Sequence, residues 1–225
     1  MLVRRALGVA VLAAALGAGA TAAPAPGPAQ RVAAVERLVR AVATSNESAM
    51  WGALSTTSRR RLGPTLAEFR ARGARGVRAS LAPFVRRSRR VIVNDLVGRD
   101  LGVVALLQPR THAAFAAPVR RERGAWRVEI DPVFTVEAVR PLTDDDVRKR
   151  TQVFAEVAAP ARIDSGGMWF DGLPFYSRAY WSPDGRHMSM WDEAPQPLAR
   201  GLHTVVAYAS AGREAAANAW VFTVR

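Results

Sequence analysis

The residues best suited to chemistry in this sequence are arginines that stand in two short runs. The two runs supply seven side chains, which are Arg59, Arg60, Arg61, Arg86, Arg87, Arg89 and Arg90. A guanidinium group is always charged, and its paired N–H donors match the oxygens of phosphates and carboxylates. The runs therefore predict an anion-binding surface. The alternative interpretation is a solvated basic face, since 31 of the 32 basic residues are arginine, a bias that GC-rich coding also produces.

A catalytic constellation is not found in the same half of the chain. His112 is the single histidine of residues 31–133, and one histidine cannot build a triad or a metal site alone. Asp95 and Asp100 are interpreted as turn or strand-edge carboxylates beside arginine. The chain has no cysteine, which excludes thiol nucleophiles, disulfides and thiolate metal sites. The sequence thus predicts no enzyme, no catalytic residue and no cofactor.

Metal ligands and further histidines are equally sparse in the second half. Asp144-Asp145-Asp146 is the one acidic run, and no ligands at Asp-x-Asp or EF-hand spacing accompany it. We interpret the run as a solvated loop and predict no metal. His187 and His203 lie beside expected strands, where a hydrogen-bonded edge residue is the more common role.

Aromatic residues are concentrated between Trp169 and Trp220. An exposed row of them would present ring faces to a sugar or to a protein partner, and Tyr180, Trp181 and Trp191 are the candidates for such a surface. The alternative is that the rings fill a core, because a β-sandwich without disulfides needs large buried side chains.

The chain ends and the charge distribution bear on the choice of partner. Arg4 and Arg5 precede an apolar run from Ala6 to Ala20, which predicts a signal peptide over residues 1–22 and a Pro/Ala-rich linker over 23–30. The run is shorter than the about 20 apolar residues of a membrane span. Residues 31–133 carry 20 arginines and eight acids, a net charge of +12, whereas residues 134–225 have a net charge of −1.

These features predict an extracytoplasmic protein, either secreted or associated with the cell envelope, with no membrane span after the signal is cleaved. Nucleic acid is the usual partner of clustered arginine, but export removes the protein from it. Anionic envelope polymers or lipid headgroups suit the compartment better.

The elements that must hold the arginines form a helix-first pattern. Apolar positions at helical spacing begin near Gln30, a second helix is expected over 48–54, and Pro64 is expected in the first turn of a third. Four strands follow, over residues 91–97, 102–107, 113–120 and 125–130. This order predicts an α+β domain over residues 31–133.

The domain resembles the nuclear transport factor two-like (cystatin-like cone) family in Asn46-Glu47-x-x-Met50-Trp51-x-x-Leu54-Ser55 and in Gly124-Ala125-Trp126-Arg127-Val128. The resemblance implies a sheet wrapped around a long helix, enclosing either a ligand pocket or packed side chains. Members that isomerise ketosteroids use an aspartate base and a tyrosine. Residues 31–133 contain no tyrosine.

Residues 134–225 are expected to be all β. Asp171-Gly172 and Asp184-Gly185 between apolar runs predict hairpins, and residues 198–225 predict a closing hairpin with half-buried strands and an aromatic inner face of Trp220 and Phe222. The Gly-Leu-His-Thr-Val and Trp-Val-Phe-Thr-Val strands resemble the last two strands of bacterial immunoglobulin-like domains. That resemblance implies a sandwich of about seven strands.

Together, these observations predict an exported, non-enzymatic binding protein. Its basic cone domain would engage an anionic partner, and its immunoglobulin-like domain would contact a protein or act as a spacer. The alternative is a carrier, or less readily an enzyme, that holds a small apolar ligand inside the cone. Asp95 and His112 converging on one cavity would favour the enzyme.

Overall fold

The computed structural model describes residues 27–225, except residues 87, 143–145, 148–150 and 176 and the side chain of Asp146. The predicted signal peptide, residues 23–26 of the predicted linker, and Arg87, Asp144 and Asp145 therefore lie outside the described residues, whereas residues 28–30 of that linker are helical. Within the described part of the chain, no helix combines the length and the apolar character that crossing a membrane requires.

Five helices come first in the part of the chain that the structure describes. They are α1 (Pro28–Ala43), α2 (Glu47–Ala53), α3 (Thr56–Leu62), α4 (Leu66–Arg72) and α5 (Ala74–Leu81), followed by a 3₁₀ turn (Ala82–Val85). Side-chain caps explain where the short helices begin: Ser55 caps α3, and Thr65 forms a capping box with Glu68 at α4. The expectation that Pro64 lies in the first turn of a helix is wrong, because the Thr65 cap starts that helix after the proline.

Sheet A follows the helices. Its strands are β1 (Arg90–Gly98), β2 (Leu101–Gln108), β3 (Ala113–Glu122) and β4 (Ala125–Val128), paired antiparallel in the order β1-β2-β3-β4. One face of this sheet packs on α1, where Val35 and Leu38 are fully buried in one cluster with Val104 and Leu106. Helices followed by an antiparallel meander confirm the α+β prediction.

Nine strands follow among the described residues after sheet A. They are β5 (Thr135–Arg140), β6 (Asp146–Val147), β7 (Gln152–Ala158), β8 (Ser165–Phe170), β9 (Leu173–Phe175), β10 (Arg178–Trp181), β11 (His187–Glu193), β12 (Gly201–Ala211) and β13 (Glu214–Val224). Sheet B has the order β10-β11-β7-β5, and sheet C has the order β6-β13-β12-β8-β9. About seven strands were expected, and the surplus comes from β6 and β9, which span two and three residues.

Sheets B and C face each other across one apolar core. Val153 and Val157 of β7 meet Val205 of β12 and Phe222 of β13 there, all at most 2% exposed. The aromatic inner face predicted for the closing hairpin is confirmed, since Trp220 belongs to the same cluster.

The prediction that the closing hairpin is half buried is wrong for β12. Its outward side chains, Val206 and Tyr208, are buried against sheet A in a cluster that contains Val103 and Ala105 of β2. Trp169 of β8 joins them. Helices, sheet A, sheet C and sheet B therefore form four successive layers, and sheet C has no solvent-facing side over these strands.

Candidate anion-binding site

A surface groove of about 790 Å³ lies beside α3 and the turn between β3 and β4. We call it the arginine groove, and it is lined by Trp51, Thr56, Arg59, Arg60, Pro64, Glu122, Arg123, Ala125 and Arg127. Four of these residues are arginines and one is acidic. The groove therefore has an excess of positive charge on a concave surface.

Local structure explains how α3 presents its arginines to the groove. The Ser55 backbone N–H donates to the Val128 carbonyl (2.8 Å), and the Ser58 hydroxyl donates to the Ile130 carbonyl (2.7 Å). These bonds fix the start of α3 against the end of β4. Arg123 sits in the β3–β4 turn at φ 49°, followed by Gly124 at φ 83°, a two-residue turn that brings its side chain to the same groove.

Trp51 forms an aromatic wall that orients Arg59. Its indole N–H donates to the Gly63 carbonyl (3.0 Å), which fixes the ring, and the Arg59 guanidinium carbon lies 4.7 Å from the ring centroid. This is cation–π geometry. The Arg59 Nε is buried and has no hydrogen-bond partner among the described residues. The stacked ring thus holds Arg59 beside the groove.

Glu122 offsets one of these four positive charges, because hydrogen bonds from neutral donors leave a carboxylate charged. Its carboxylate accepts from the Thr56 backbone N–H (2.9 Å) and hydroxyl (2.8 Å), and it lies 3.9 Å from Arg59. Arg60 and Arg123 are exposed, and within the described part of the chain neither has a carboxylate partner. The groove can therefore bind phosphate or carboxylate through several guanidinium groups at once.

The remaining arginines of the two predicted runs have other surroundings. Arg61 pairs with Glu214 of β13, and Arg89 pairs with Glu36 of α1. Arg86 and Arg90 are exposed outside the groove, and Arg87 lies outside the described residues. Of the seven predicted side chains, the structure thus brings Arg59 and Arg60 into the groove.

Three groove residues escaped the sequence reasoning. Arg123 and Arg127 lie more than 60 positions after Arg59, and no local pattern connects them to it. Arg123 falls between the strands predicted over 113–120 and 125–130, but the sequence does not show where that connection lies in space. Trp51 was noted only as part of a structural motif.

A second surface feature lies on the outer face of sheet B. Phe154, Tyr180 and Trp191 surround a shallow groove of about 340 Å³ together with Gln152 and Ser189. The rings of Phe154 and Trp191 meet edge to face at 6.3 Å, and Tyr180 is 60% exposed.

The predicted aromatic surface is brought together only in part. Tyr180 pairs with Ser189 and Trp181 pairs with Met188. Because side chains alternate along a strand, Trp181 is directed to the opposite face of β10 from Tyr180. Phe154 takes the place that the sequence analysis gave to Trp181.

The candidate catalytic residues do not meet. Asp95 accepts from the Trp169 indole (3.1 Å) and from the Leu96 N–H (2.8 Å), which ties sheet A to sheet C. It pairs with Val103, whereas His112 lies in the turn after Gln108, roughly 16 Å further along β2 at the usual strand rise. Among the described residues, no group of three His, Asp or Glu side chains is arranged to hold a metal.

The histidines of the second half also have ordinary surroundings. His203 is buried between Phe170 and Phe222, and its ring nitrogens lie 2.7 Å from an Asp171 oxygen and 2.8 Å from the Ala199 carbonyl. Both nitrogens are therefore engaged. His187 is exposed at the start of β11.

The space between α1 and sheet A is packed with side chains. Val35 and Leu38 of α1 share one buried cluster there with Val104 and Leu106 of β2, and all four are fully buried. A carrier of small apolar ligands would need an open cavity at this position.

Comparisons with known proteins add little to this geometry. No family model matches the chain, and no curated protein matches it either. Among solved structures, the endo-beta-1,4-mannanase from Thermotoga petrophila is similar at 12% sequence identity and a TM-score of 0.34. The similarity covers 41% of this chain and 20% of the mannanase chain, and it carries no argument about function.

Proposed function

We propose that the protein is an exported, non-enzymatic binding protein whose arginine groove holds phosphate or carboxylate groups of an anionic cell-envelope component. One observation carries this proposal: Arg59, Arg60, Arg123 and Arg127 line a single groove that has one acid, Glu122, and therefore a net positive charge. The packed interior beside α1 favours this function over a carrier of apolar ligands.

Physical chemistry sets the character of the binding. Guanidinium groups form paired, charge-assisted hydrogen bonds with planar or tetrahedral oxyanions. Because the groove is open to solvent, salt screens these contacts strongly. The Debye length is about 8 Å at physiological ionic strength. We therefore expect binding that weakens steeply as salt is added.

The architecture and the compartment complete the proposal. A helix packed on a four-stranded antiparallel sheet supports a nuclear transport factor two-like first domain, with the boundary near residue 134. In immunoglobulin sandwiches the first, second, fourth and fifth strands form one sheet, and the third, sixth and seventh form the other. Without the short β6 and β9, sheets B and C divide the strands in the same way, which supports an immunoglobulin-like second domain. The apolar run from Ala6 to Ala20 supports export.

Reversing two groove charges tests the function. We expect the double variant Arg60→Glu and Arg123→Glu to weaken binding of the mature protein to anionic envelope fractions and to pyrophosphate by about 100-fold, since two charge-assisted contacts are lost and repulsion is added. Pull-down across a salt series and calorimetry measure the effect.

The matched control is Arg86→Glu with Arg90→Glu, which changes the net charge equally at exposed positions outside the groove. An equal loss in both double variants would mean that net charge alone drives binding, against the groove. Binding that persists at high salt would also contradict the proposal.

The outer face of sheet B favours a second candidate function, contact with a polysaccharide. Ring faces of Phe154, Tyr180 and Trp191 can stack on sugar rings, while Gln152 and Ser189 can bond hydroxyl groups. A protein partner bound through the second domain would use the same face.

We expect Tyr180→Ala with Trp191→Ala to weaken retention on insoluble envelope polysaccharide by about tenfold, as loss of ring stacking usually does. Affinity electrophoresis measures this retention. Trp181→Ala, on the other face of β10, is the control and should leave retention unchanged. If the three aromatic residues contribute equally to retention, the binding is nonspecific and the assignment of this face is wrong.

A further inference from the structure

A second groove adjoins the arginine groove on the other side of α2. It has a volume of about 450 Å³, and we call it the α1–α2 groove. It is lined by Arg37, Arg40, Ala41, Thr44, Asn46, Ala49, Gly52, Ala53 and Arg127. Three of these residues are arginines, and none is acidic.

Arg127 lines both grooves and forms the ridge between them with Gly52. A guanidinium N–H of Arg127 donates to the Gly52 carbonyl, which holds the charged group at the ridge. A Cβ added at Gly52 would meet no atom within 4 Å. The surface above Gly52 is therefore open, and no side chain of Gly52 stands between the two grooves.

The two grooves together are lined by six arginines and by Glu122 as the one acid. Arg37 and Arg40 are exposed, and within the described part of the chain neither has a carboxylate partner. Positive charge thus continues without interruption from the end of α1, across Arg127, to α3 and the β3–β4 turn.

We propose that the occupant is an extended linear polyanion that crosses the Gly52–Arg127 ridge and lies in both grooves at once. This inference rests on the proposed function and specifies its ligand. A compact anion is satisfied by a few donors and would leave the arginines of one groove unused. A chain of repeated charges uses both grooves, and its second segment binds at high effective concentration because the first already holds it.

A lipid headgroup fits the surroundings less well than a polymer. Proteins that settle on bilayers combine basic residues with apolar side chains that enter the acyl boundary. The large exposed apolar side chains of the described residues are Val91, Leu96, Val133, Leu142, Leu173, Tyr180 and Trp181. None of them lines either groove.

Chain length is the first test, with pyrophosphate and long-chain linear polyphosphate as probes. We expect the long chain to bind the wild-type protein at least about tenfold more tightly than pyrophosphate. Arg40→Gln removes one charge from the α1–α2 groove. It should weaken long-chain binding, lower the slope of log affinity against log salt by about 0.7 to 1, and leave pyrophosphate binding unchanged.

The ridge supplies the second test. Gly52→Glu places a negative charge where the polymer must cross, and the open surroundings and helical backbone of Gly52 accept a side chain. We expect about tenfold weaker long-chain binding and a smaller loss of pyrophosphate binding, because pyrophosphate does not have to cross the ridge. Gly52→Gln has the same shape without the charge and should weaken long-chain binding less.

Each outcome decides a separate point. The proposal of a polyanion lying in both grooves is wrong if the two probes bind with equal affinity, or if neither Gly52 variant changes binding of the long chain. Either result leaves the proposed function intact. If Arg60→Glu with Arg123→Glu does not weaken the binding of either probe, the proposed function itself is wrong. If the protein binds vesicles of anionic lipid and neither phosphate probe, the ligand is a lipid headgroup and not a linear polyanion.

Discussion

Replacing Gly63 with alanine is expected to lower the free energy of unfolding by about 4 kcal/mol, from backbone strain and steric overlap together. Gly63 ends α3 at φ 145°, a conformation that side chains rarely adopt. A Cβ there would lie 2.2 Å from the backbone nitrogen of Phe69 and 2.5 Å from its Cα. Because these are backbone atoms of a fully buried residue, α3 and α4 must move apart to accept it.

The same change should deform the arginine groove. The Gly63 carbonyl holds the Trp51 indole, which in turn orients Arg59. We therefore expect weaker anion binding as well as lower stability. Chemical denaturation followed by circular dichroism measures the stability, and calorimetry with pyrophosphate measures the binding.

Gly52→Ala is the matched control for this substitution. Gly52 lies inside α2, where a Cβ meets open space, so alanine should raise the free energy of unfolding by about 0.5–1 kcal/mol. If Gly63→Ala proves as stable as the wild-type protein, the close approach of α3 and α4 is not as described.

Glu129→Ala is expected to lower the free energy of unfolding by about 3 kcal/mol, since it removes the carboxylate partner of the half-buried Arg120 and strands a buried N–H donor. The Glu129 side chain is completely buried. Its carboxylate accepts from Arg120 (3.1 Å) and from the Ala215 backbone N–H of β13 (3.0 Å). Arg120 also donates to the Arg213 carbonyl (3.1 Å), so the group fastens sheet A to the β12–β13 turn.

The pH dependence gives Glu129 a second signature. Burial raises the pKa of its carboxyl group above the ordinary value, although the Arg120 charge opposes the rise. The folded state therefore holds this proton more tightly than the unfolded state. Its contribution to stability falls as pH rises from the ordinary glutamate pKa through the raised value. Glu129→Gln lacks the titration, so the advantage of the wild-type protein over this variant should shrink across that window in denaturation curves.

An exposed glutamate provides the comparison. Glu156 lies opposite Glu137 on the outer face of sheet B, where like charges repel. Glu156→Ala should therefore change stability by no more than about 0.5 kcal/mol. A similar loss for Glu129→Ala and Glu156→Ala would contradict the role given to the buried carboxylate.

Features encoded by neighbouring residues were predictable from the sequence. Asp171-Gly172 predicted a tight hairpin, and both residues adopt positive φ angles, 48° and 82°, as a two-residue turn of this kind requires. The strands of sheet A were predicted within about two residues of their bounds, the usual uncertainty at element ends. In each case the signal lies within a few positions along the chain.

The arginine groove was not predictable, because tertiary pairing redistributes the arginines. Arg61 and Arg89 stand in the predicted runs but are drawn away by Glu214 and Glu36, which are distant in sequence. Arg127 reaches the groove from a strand instead. Runs of arginine in the sequence indicate only a high local charge density. The composition of the groove depends instead on which arginines are drawn to carboxylates elsewhere when the chain folds.

The contact between sheets A and C left a weak signal in the sequence. Val205-Val206-Ala207-Tyr208 is continuously apolar, which is typical of a strand covered on both faces. Alternation of the flanking residues favoured a half-buried strand instead. The partner strands lie about 100 positions earlier, too far for any local pattern to identify them.

The double burial of sheet C has a consequence for modularity. A fragment cut near residue 134 would present Trp169, Val206, Tyr208 and Ala219 to water, and such a patch promotes self-association. The fragment would also leave sheet A uncovered on one face. We therefore expect the two halves to unfold as one cooperative unit, and neither half to fold as a soluble fragment when expressed alone.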